Sequence, residues 1–499
     1  MGSTSKITSG VLWSLIVNLV NSVYGFISVP ILIHYFGKTE YGIIGLAMSV
    51  NVYMQLMDMG FNSTNIRFFS VWLAKKNLQK ASKLFQTSLA FYGIIGILNG
   101  LILLGISLFS KEIFRLNADQ DEILKTLFYV LIISAIISWY SSCFDQLIKA
   151  TENVAWIQKR TLLPKILQVI VLFITIYAKL NIFWYFALTT FSMFAILPLS
   201  VNKILKEIPT ISFIPKFDKE TFKEILPYCL NIFSFSIFQF SFYNLRPVFL
   251  GMQGSLDSVA DYRVLNGIIG IVSMFGGIFM GVLLPSTSKI VAQGNTEAYY
   301  KVAYDGTKYI SIVLCFCTFG MMTVGSEVIT MYVGESFLYL IPWFNIWLLC
   351  TLGVHNQAIS SLILSGSDIR AITYNTSISS IIGLIVAWCL IPYFEIGGVV
   401  IAFAIYIIVQ LSFYYLYYWP KKMNIQSGRV FLHSFFPFVM IGVGATVLID
   451  DLLINLDGKI VSSFFLKGIL FTIIYSIVCF RFLNKEDKKM LYSILKLKK

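Results

Sequence analysis

Nine side chains combine charge or an amide with a place inside an apolar stretch, and their types limit the chemistry available to this chain. Arg246 and Arg263 are permanent cations. Asp58 and Asp145 are carboxyls able to hold or release a proton. Asn18, Asn21, Asn51, Gln55 and Gln239 each offer a donor and an acceptor together. An Arg, Lys or Asp at mid-bilayer costs about 2.5–3.5 kcal/mol on insertion scales, so each needs a partner or water. A plain structural reading stands beside each functional one. Arg246, a few residues inside the outer end of its stretch, can snorkel outward instead of lining a cavity. Asp145 precedes Lys149 by four residues and can pair with it along one helix. Lys467 and Arg263 can snorkel as well, and His34 suits an interface.

The spacing of these groups is helical. Asn51, Gln55, Asp58 and Asn62 recur at steps of four, three and four. Ser14, Asn18, Asn21, Gly25 and Ser28 line one face of the first stretch. Comparable stripes run through Ser134, Ser138, Asp145 and Lys149, through Ser236, Gln239, Tyr243 and Arg246, and through Asn266, Gly270, Ser273 and Gly277. A lipid-facing helix has no use for such faces. They line a wet cavity or pack on one another, and for Ser and Gly alone close packing explains them well.

The elements that carry these stripes are membrane helices. Of 499 residues, 57% are hydrophobic and only 13% charged, with mean hydropathy +0.78. About twenty apolar residues make some 30 Å of helix, enough to cross the hydrocarbon layer. Spans are expected near 11–35, 41–65, 84–109, 125–148, 162–180, 181–202, 225–252, 263–288, 307–326, 339–364, 371–393, 394–419, 430–449 and 460–480. With the N-terminus inside, inner segments hold 29 Lys/Arg and outer segments 7, the bias of the positive-inside rule. Both termini are then cytoplasmic. The net charge of +13 therefore reflects membrane orientation, with no nucleic-acid partner implied.

The expected fold class is an all-α polytopic membrane protein of about 14 transmembrane helices: two six-helix bundles around a central cavity plus two C-terminal helices. The connector KILKEIPTISFIPKFDKETFKEI, with alternating charge and two prolines, marks the internal boundary. The expected domains are 1–205, 206–420 and 421–499, the last holding helices 13 and 14 and a basic cytoplasmic tail. A faint echo crosses the boundary, since Tyr41 and Tyr262 each open a span and each precede a glycine, Gly60 and Gly281, by 19 residues. Two like-oriented units of six spans fit a parallel repeat. The polar N-terminus reads as retained rather than as a signal peptide. The seven cysteines lie in apolar segments and the three histidines are scattered, so neither a disulfide frame nor a metal site is expected. No glycine-rich phosphate loop occurs, which excludes transport driven directly by a nucleotide.

The segments PILIHYFGKTEYGIIGLAMSV and LMDMGFNSTNIRFFSVWLAKKN, with Phe36-Gly37, Tyr41-Gly42 and Asp58-x-Gly60, resemble the polysaccharide-type flippases of the multidrug/oligosaccharidyl-lipid/polysaccharide exporter superfamily. That resemblance implies two bundles in a V, with spans one, two, seven and eight lining the cavity. It implies an undecaprenyl-diphosphate-linked oligosaccharide (an O-antigen, capsule or exopolysaccharide repeat unit) moved from inner to outer leaflet of a bacterial plasma membrane by alternating access. By position Arg246 and Arg263 would meet the diphosphate, and Asn18, Asn21, Asn51, Gln55 and Gln239 the sugar hydroxyls. No cofactor is implied beyond coupling to H+ or Na+ through Asp58 or Asp145. Besides membrane lipids and the lipid-linked substrate, a polysaccharide polymerase and assembly proteins are the implied partners. Two other readings stand. A cation-coupled drug exporter would rely on the two aspartates, whereas a membrane polymerase or ligase would need a large outer loop. The longest outer connector here is near 110–124.

Overall fold

The computed structural model describes residues 3–151, 154–209, 211–365, 370–452, 460–484 and 487–488. Within them the chain is helical throughout, with no strand. The helices that matter below are α1 (Ser3–Phe36), α2 (Lys38–Met54), α3 (Phe61–Ala74) and α4 (Leu78–Leu108). They continue with α5 (Ala118–Ala150), α6 (Trp156–Tyr177), α7 (Ile182–Glu207), α8 (Lys219–Gln253) and α9 (Leu256–Ala292). The remainder are α10 (Thr296–Thr323), α11 (Glu335–Ser365), α12 (Ile372–Phe394), α13 (Ile396–Lys422), α14 (Ser427–Leu452) and α15 (Ile460–Phe482).

Among the described residues, ten of these helices are long and apolar enough to cross a membrane, and the bent α8 makes an eleventh. Helices also occupy the other three expected positions, α1, α9 and the pair α2–α3. The second expected span is not one helix. After Met54 the chain tightens into a 3₁₀ turn over Gln55–Asp58, passes through left-handed Met59 (φ 50°) and Gly60 (φ 79°), and restarts at Phe61. A Cβ on Gly60 would stand 2.6 Å from the Cys229 carbonyl, so only glycine fits both the backbone angle and the neighbour. α8 bends by 52° between Ser234 and Ser236, away from its two internal prolines. Both serine hydroxyls donate back along the helix, Ser234 to the Leu230 carbonyl (2.8 Å) and Ser236 to that of Ile232 (2.9 Å). Such back-bonding bends helices.

The chain packs into two compact units, Met1–Arg263 with Ala387–Ile396, and Val264–Val386 with Gly397–Lys499. The boundary between these compact units falls inside α9. The reason lies in α8, which packs on α2, α3 and α4 of the first unit. The end of α12 joins that unit through Trp388, edge-on to Phe249 at 5.0 Å, and Glu395, which accepts a hydrogen bond from Ser258. The first unit has a core around Phe61, Phe69, Phe85, Leu147 and Ile225. The second is centred on Leu314, Phe319, Phe438, Phe471 and Tyr475. There Lys467 does not snorkel but pairs with Glu327 at 2.6 Å, and Ser463 and Ser326 complete the carboxylate's hydrogen bonds. The lysine-rich tail from Lys489 onward, and Lys459, lie outside the described residues.

Candidate substrate and coupling site

In the first unit the two arginines stand beside aromatic rings. Arg246 on α8 is only 2% exposed, and its guanidinium carbon lies 5.0 Å from the Phe242 ring centre, 5.2 Å from Tyr243 and 5.8 Å from Tyr262. Arg263 on α9 is half-buried; its Nε donates to the Tyr41 hydroxyl (3.2 Å), and its guanidinium carbon lies 5.2 Å from that ring. A guanidinium over an aromatic face gains about 0.5–2 kcal/mol, more as water is excluded. Tyr41 and Tyr262, the two residues that open the echoed spans, are therefore ring partners of the two arginines.

Small residues make this arrangement possible. A side chain at Gly45 would meet the Arg263 chain, one at Gly42 would collide with the Leu256 carbonyl, and one at Gly251 with Leu46. Their absence lets α2 lie directly on α8 and α9, as close helix approach in membranes requires. Ion pairing fixes the register, with Lys38 to Asp261 at 2.9 Å and the Thr39 hydroxyl to Asp257 at 2.8 Å.

Asp58 belongs to a second polar centre. One carboxylate oxygen accepts from the Tyr92 hydroxyl (2.6 Å) and the other from the backbone N–H of Asn62 (3.0 Å). Tyr92 in turn accepts from the Gln146 amide (2.8 Å). The Gln146 oxygen accepts from Asn65 (2.8 Å), which also donates to Ser88 (3.0 Å). Tyr92, Gln146, Asn65 and Ser88 are all buried, so a continuous hydrogen-bonded chain leads from the break after α2 into the α3–α4–α5 core. The sequence stripes did not single out Tyr92, Gln146, Asn65 or Ser88. Gln146 follows the conspicuous Asp145 but points to another face, and Tyr92 sits in a stretch that looks merely apolar.

The other expected residues are dispersed. Asp145 pairs with Arg160, not with Lys149, and Arg160 also lies over the Trp156 ring at 5.1 Å. Asn51 is half-buried, whereas Gln55 and Gln239 are exposed. Asn21 is half-buried and its amide oxygen meets no donor. Asn18 lies on α1 with its side chain outside the described residues. The structure brings Arg246 and Arg263 to the same α2–α8–α9 contact. It does not bring Asp58 to them, because Gly60 packs on Cys229, seventeen residues or about 25 Å of helix from Arg246.

The chain can be compared with known proteins on this footing. The family described as "Polysaccharide biosynthesis protein" matches residues 7–291. No curated protein sequence matches the chain. Among solved structures, the lipid II flippase MurJ in an inward closed conformation superposes with a TM-score of 0.74 at 13% identity, covering 94% of this chain and 99% of that one. An inward-facing multidrug resistance MATE family transporter of the MOP superfamily gives 0.63 at 16% identity, covering 79% of this chain and 92% of that one. At these identities the likeness is one of fold.

Proposed function

Because this chain belongs to the polysaccharide biosynthesis protein family, we propose that it is a flippase that carries an undecaprenyl-diphosphate-linked oligosaccharide repeat unit from the inner to the outer leaflet of the bacterial plasma membrane. It is a multi-pass membrane protein with the fold of flippases and transporters. The observation that carries the substrate reading is the cationic pair Arg246 and Arg263 on adjoining helices, each set against an aromatic ring. A bidentate guanidinium matches diphosphate oxygens in geometry and charge. It replaces hydration that the hydrocarbon layer cannot supply, and Asn21, Asn51, Gln55 and Gln239, with Asn18, serve the sugar hydroxyls. Arg246 is covered here among the rings of Phe242, Tyr243 and Tyr262, so contact with the diphosphate requires that cover to open.

Moving two negative charges outward against an inside-negative potential is favourable by about 2.3 kcal/mol per charge per 100 mV. Return of the empty carrier needs a separate bias. We assign it to proton or sodium entry at Asp58, whose carboxylate already has a buried relay behind it. Asp145 is the weaker candidate because Arg160 holds it. The products then pass to a polysaccharide polymerase and its assembly proteins.

A labelled lipid-linked precursor in proteoliposomes tests the assignment. Arg246→Ala should slow flipping by tenfold or more and Arg246→Lys less, because the charge remains but the fork is lost. Normal flipping by Arg246→Ala would remove the diphosphate contact from the scheme. A drug-susceptibility change on expression, without precursor accumulation on deletion, would favour a drug exporter.

A further inference from the structure

A cavity of about 800 Å³ opens in the first unit where the C-terminal end of α1, the first turns of α2 and α5, and the α6–α7 turn meet. None of its lining residues belongs to the arginine pair or to the Asp58 network, although Glu40 directly precedes Tyr41, and its size is that of a small-ligand site. One wall is apolar and aromatic, including Tyr35 and Phe183. The polar rim carries three carboxylates, Glu40, Asp119 and Glu122, and one ammonium, Lys179. Among the described residues none of these four charges makes an ion pair, although Lys179 shares the rim with the acids.

The frame is preformed. The Tyr35 hydroxyl donates to the Leu180 carbonyl (3.1 Å), tying the α6–α7 turn to α1, and Asn181 caps α7 through the Trp184 N–H (3.1 Å). Asn117 and Gln120 form a reciprocal cap at the start of α5, which fixes the turn that bears Asp119 and Glu122. Below the Lys179 rim, α6 presents an exposed apolar ladder that includes Ile166, Ile170, Phe173 and Tyr177, the last 93% exposed. In a membrane-spanning helix such a ladder faces acyl chains.

We propose that this cavity seats the headgroup of a zwitterionic aminolipid, a phosphodiester bearing a primary ammonium, with its chains along α6. The carboxylates receive the ammonium, which offers three N–H donors, and Lys179 meets the phosphate. The excess of acid over base disfavours a lipid that carries phosphate alone. A quaternary ammonium would keep the charge but lose the donors.

The test is native mass spectrometry of the full chain released from detergent containing equimolar phosphatidylethanolamine, phosphatidylcholine and phosphatidylglycerol. The expected result is a retained phosphatidylethanolamine adduct at least threefold above phosphatidylglycerol, with phosphatidylcholine between them. The ratio should fall toward one in Asp119→Asn/Glu122→Gln, and Lys179→Gln should weaken all three adducts. Each variant is compared with the parent at matched thermal stability, and Lys179→Gln serves if the acid pair disturbs folding. Equal retention of phosphatidylglycerol, or an unchanged ratio in the double variant, overturns the site. Displacement of the adduct by millimolar glucosamine overturns the lipid assignment in favour of an amino sugar.

Discussion

Replacing Tyr92 by Phe removes one oxygen atom from the centre of the Asp58–Tyr92–Gln146–Asn65 chain and leaves the ring, stacked on Trp139 at 5.4 Å, in place. No cavity of consequence forms, so the change isolates two hydrogen bonds. The bond to Asp58 has an ionisable acceptor, and such bonds contribute about 1.5–3 kcal/mol. Gln146, 1% exposed, then keeps a buried N–H without its acceptor, at a further cost of about 1–3 kcal/mol. Together these predict a loss of about 2.5–6 kcal/mol, of the order of emptying a core leucine site. The assay is steric trapping of the full chain in bicelles, run as a double-mutant cycle with Asp58→Asn. A coupling energy of about 1.5–3 kcal/mol indicates a charged acceptor, and about 0.5–1.5 kcal/mol a neutral one. A Tyr92→Phe change below about 0.5 kcal/mol refutes the relay as a structural unit.

Other perturbations follow from single contacts. Gly60→Ala forces a side chain into the left-handed region against the Cys229 carbonyl; a loss of at least about 1–2 kcal/mol is expected in the same assay. Lys467→Met leaves the buried Glu327 carboxylate unpaired and should cost about 3–5 kcal/mol, whereas Lys467→Met with Glu327→Gln should recover most of it. At the end of α15, burial works against the Asp487 charge, but hydrogen bonds from Lys308 (2.8 Å), Tyr309 (2.6 Å) and the Asn484 N–H hold its carboxyl below the usual aspartate range. Its stabilisation is therefore complete above the unfolded-state value, about pH 4, and lost as pH falls through the lower folded one. Protection factors against hydrogen exchange at residues 482–484 and 487–488 should fall on acidification over that window, and Asp487→Asn should lower them already at neutral pH.

Helix positions were legible because apolar length and charge bias act over many residues, and a few errors do not move them. The polar stripe through Asn51, Gln55 and Asp58 was also legible, but not the break it enters. A 3₁₀ turn ending in a left-handed pair depends on what Gly60 touches, and Cys229 is far along the chain. Periodicity alone likewise assigned Asp145 to Lys149, whereas the fold supplies Arg160 from the next helix, a choice that only tertiary packing makes. Lys467 illustrates the same limit. Its partner Glu327 lies 140 residues away, and nothing local distinguishes a paired lysine from a snorkelling one. Conversely, Tyr41 and Tyr262 were visible as a weak repeat, and only the folded chain gives them an arginine each.

The interruption between α2 and α3 has a mechanical consequence. An unbroken rod passes rotation from one membrane face to the other, whereas two short rods joined by a swivel do not. The half after the break can tilt with the Phe61–Phe91–Phe222 cluster while the half before it keeps its glycine contacts with α8 and α9. Opening one mouth then need not disturb the other, which is the requirement placed on any carrier that must never leak.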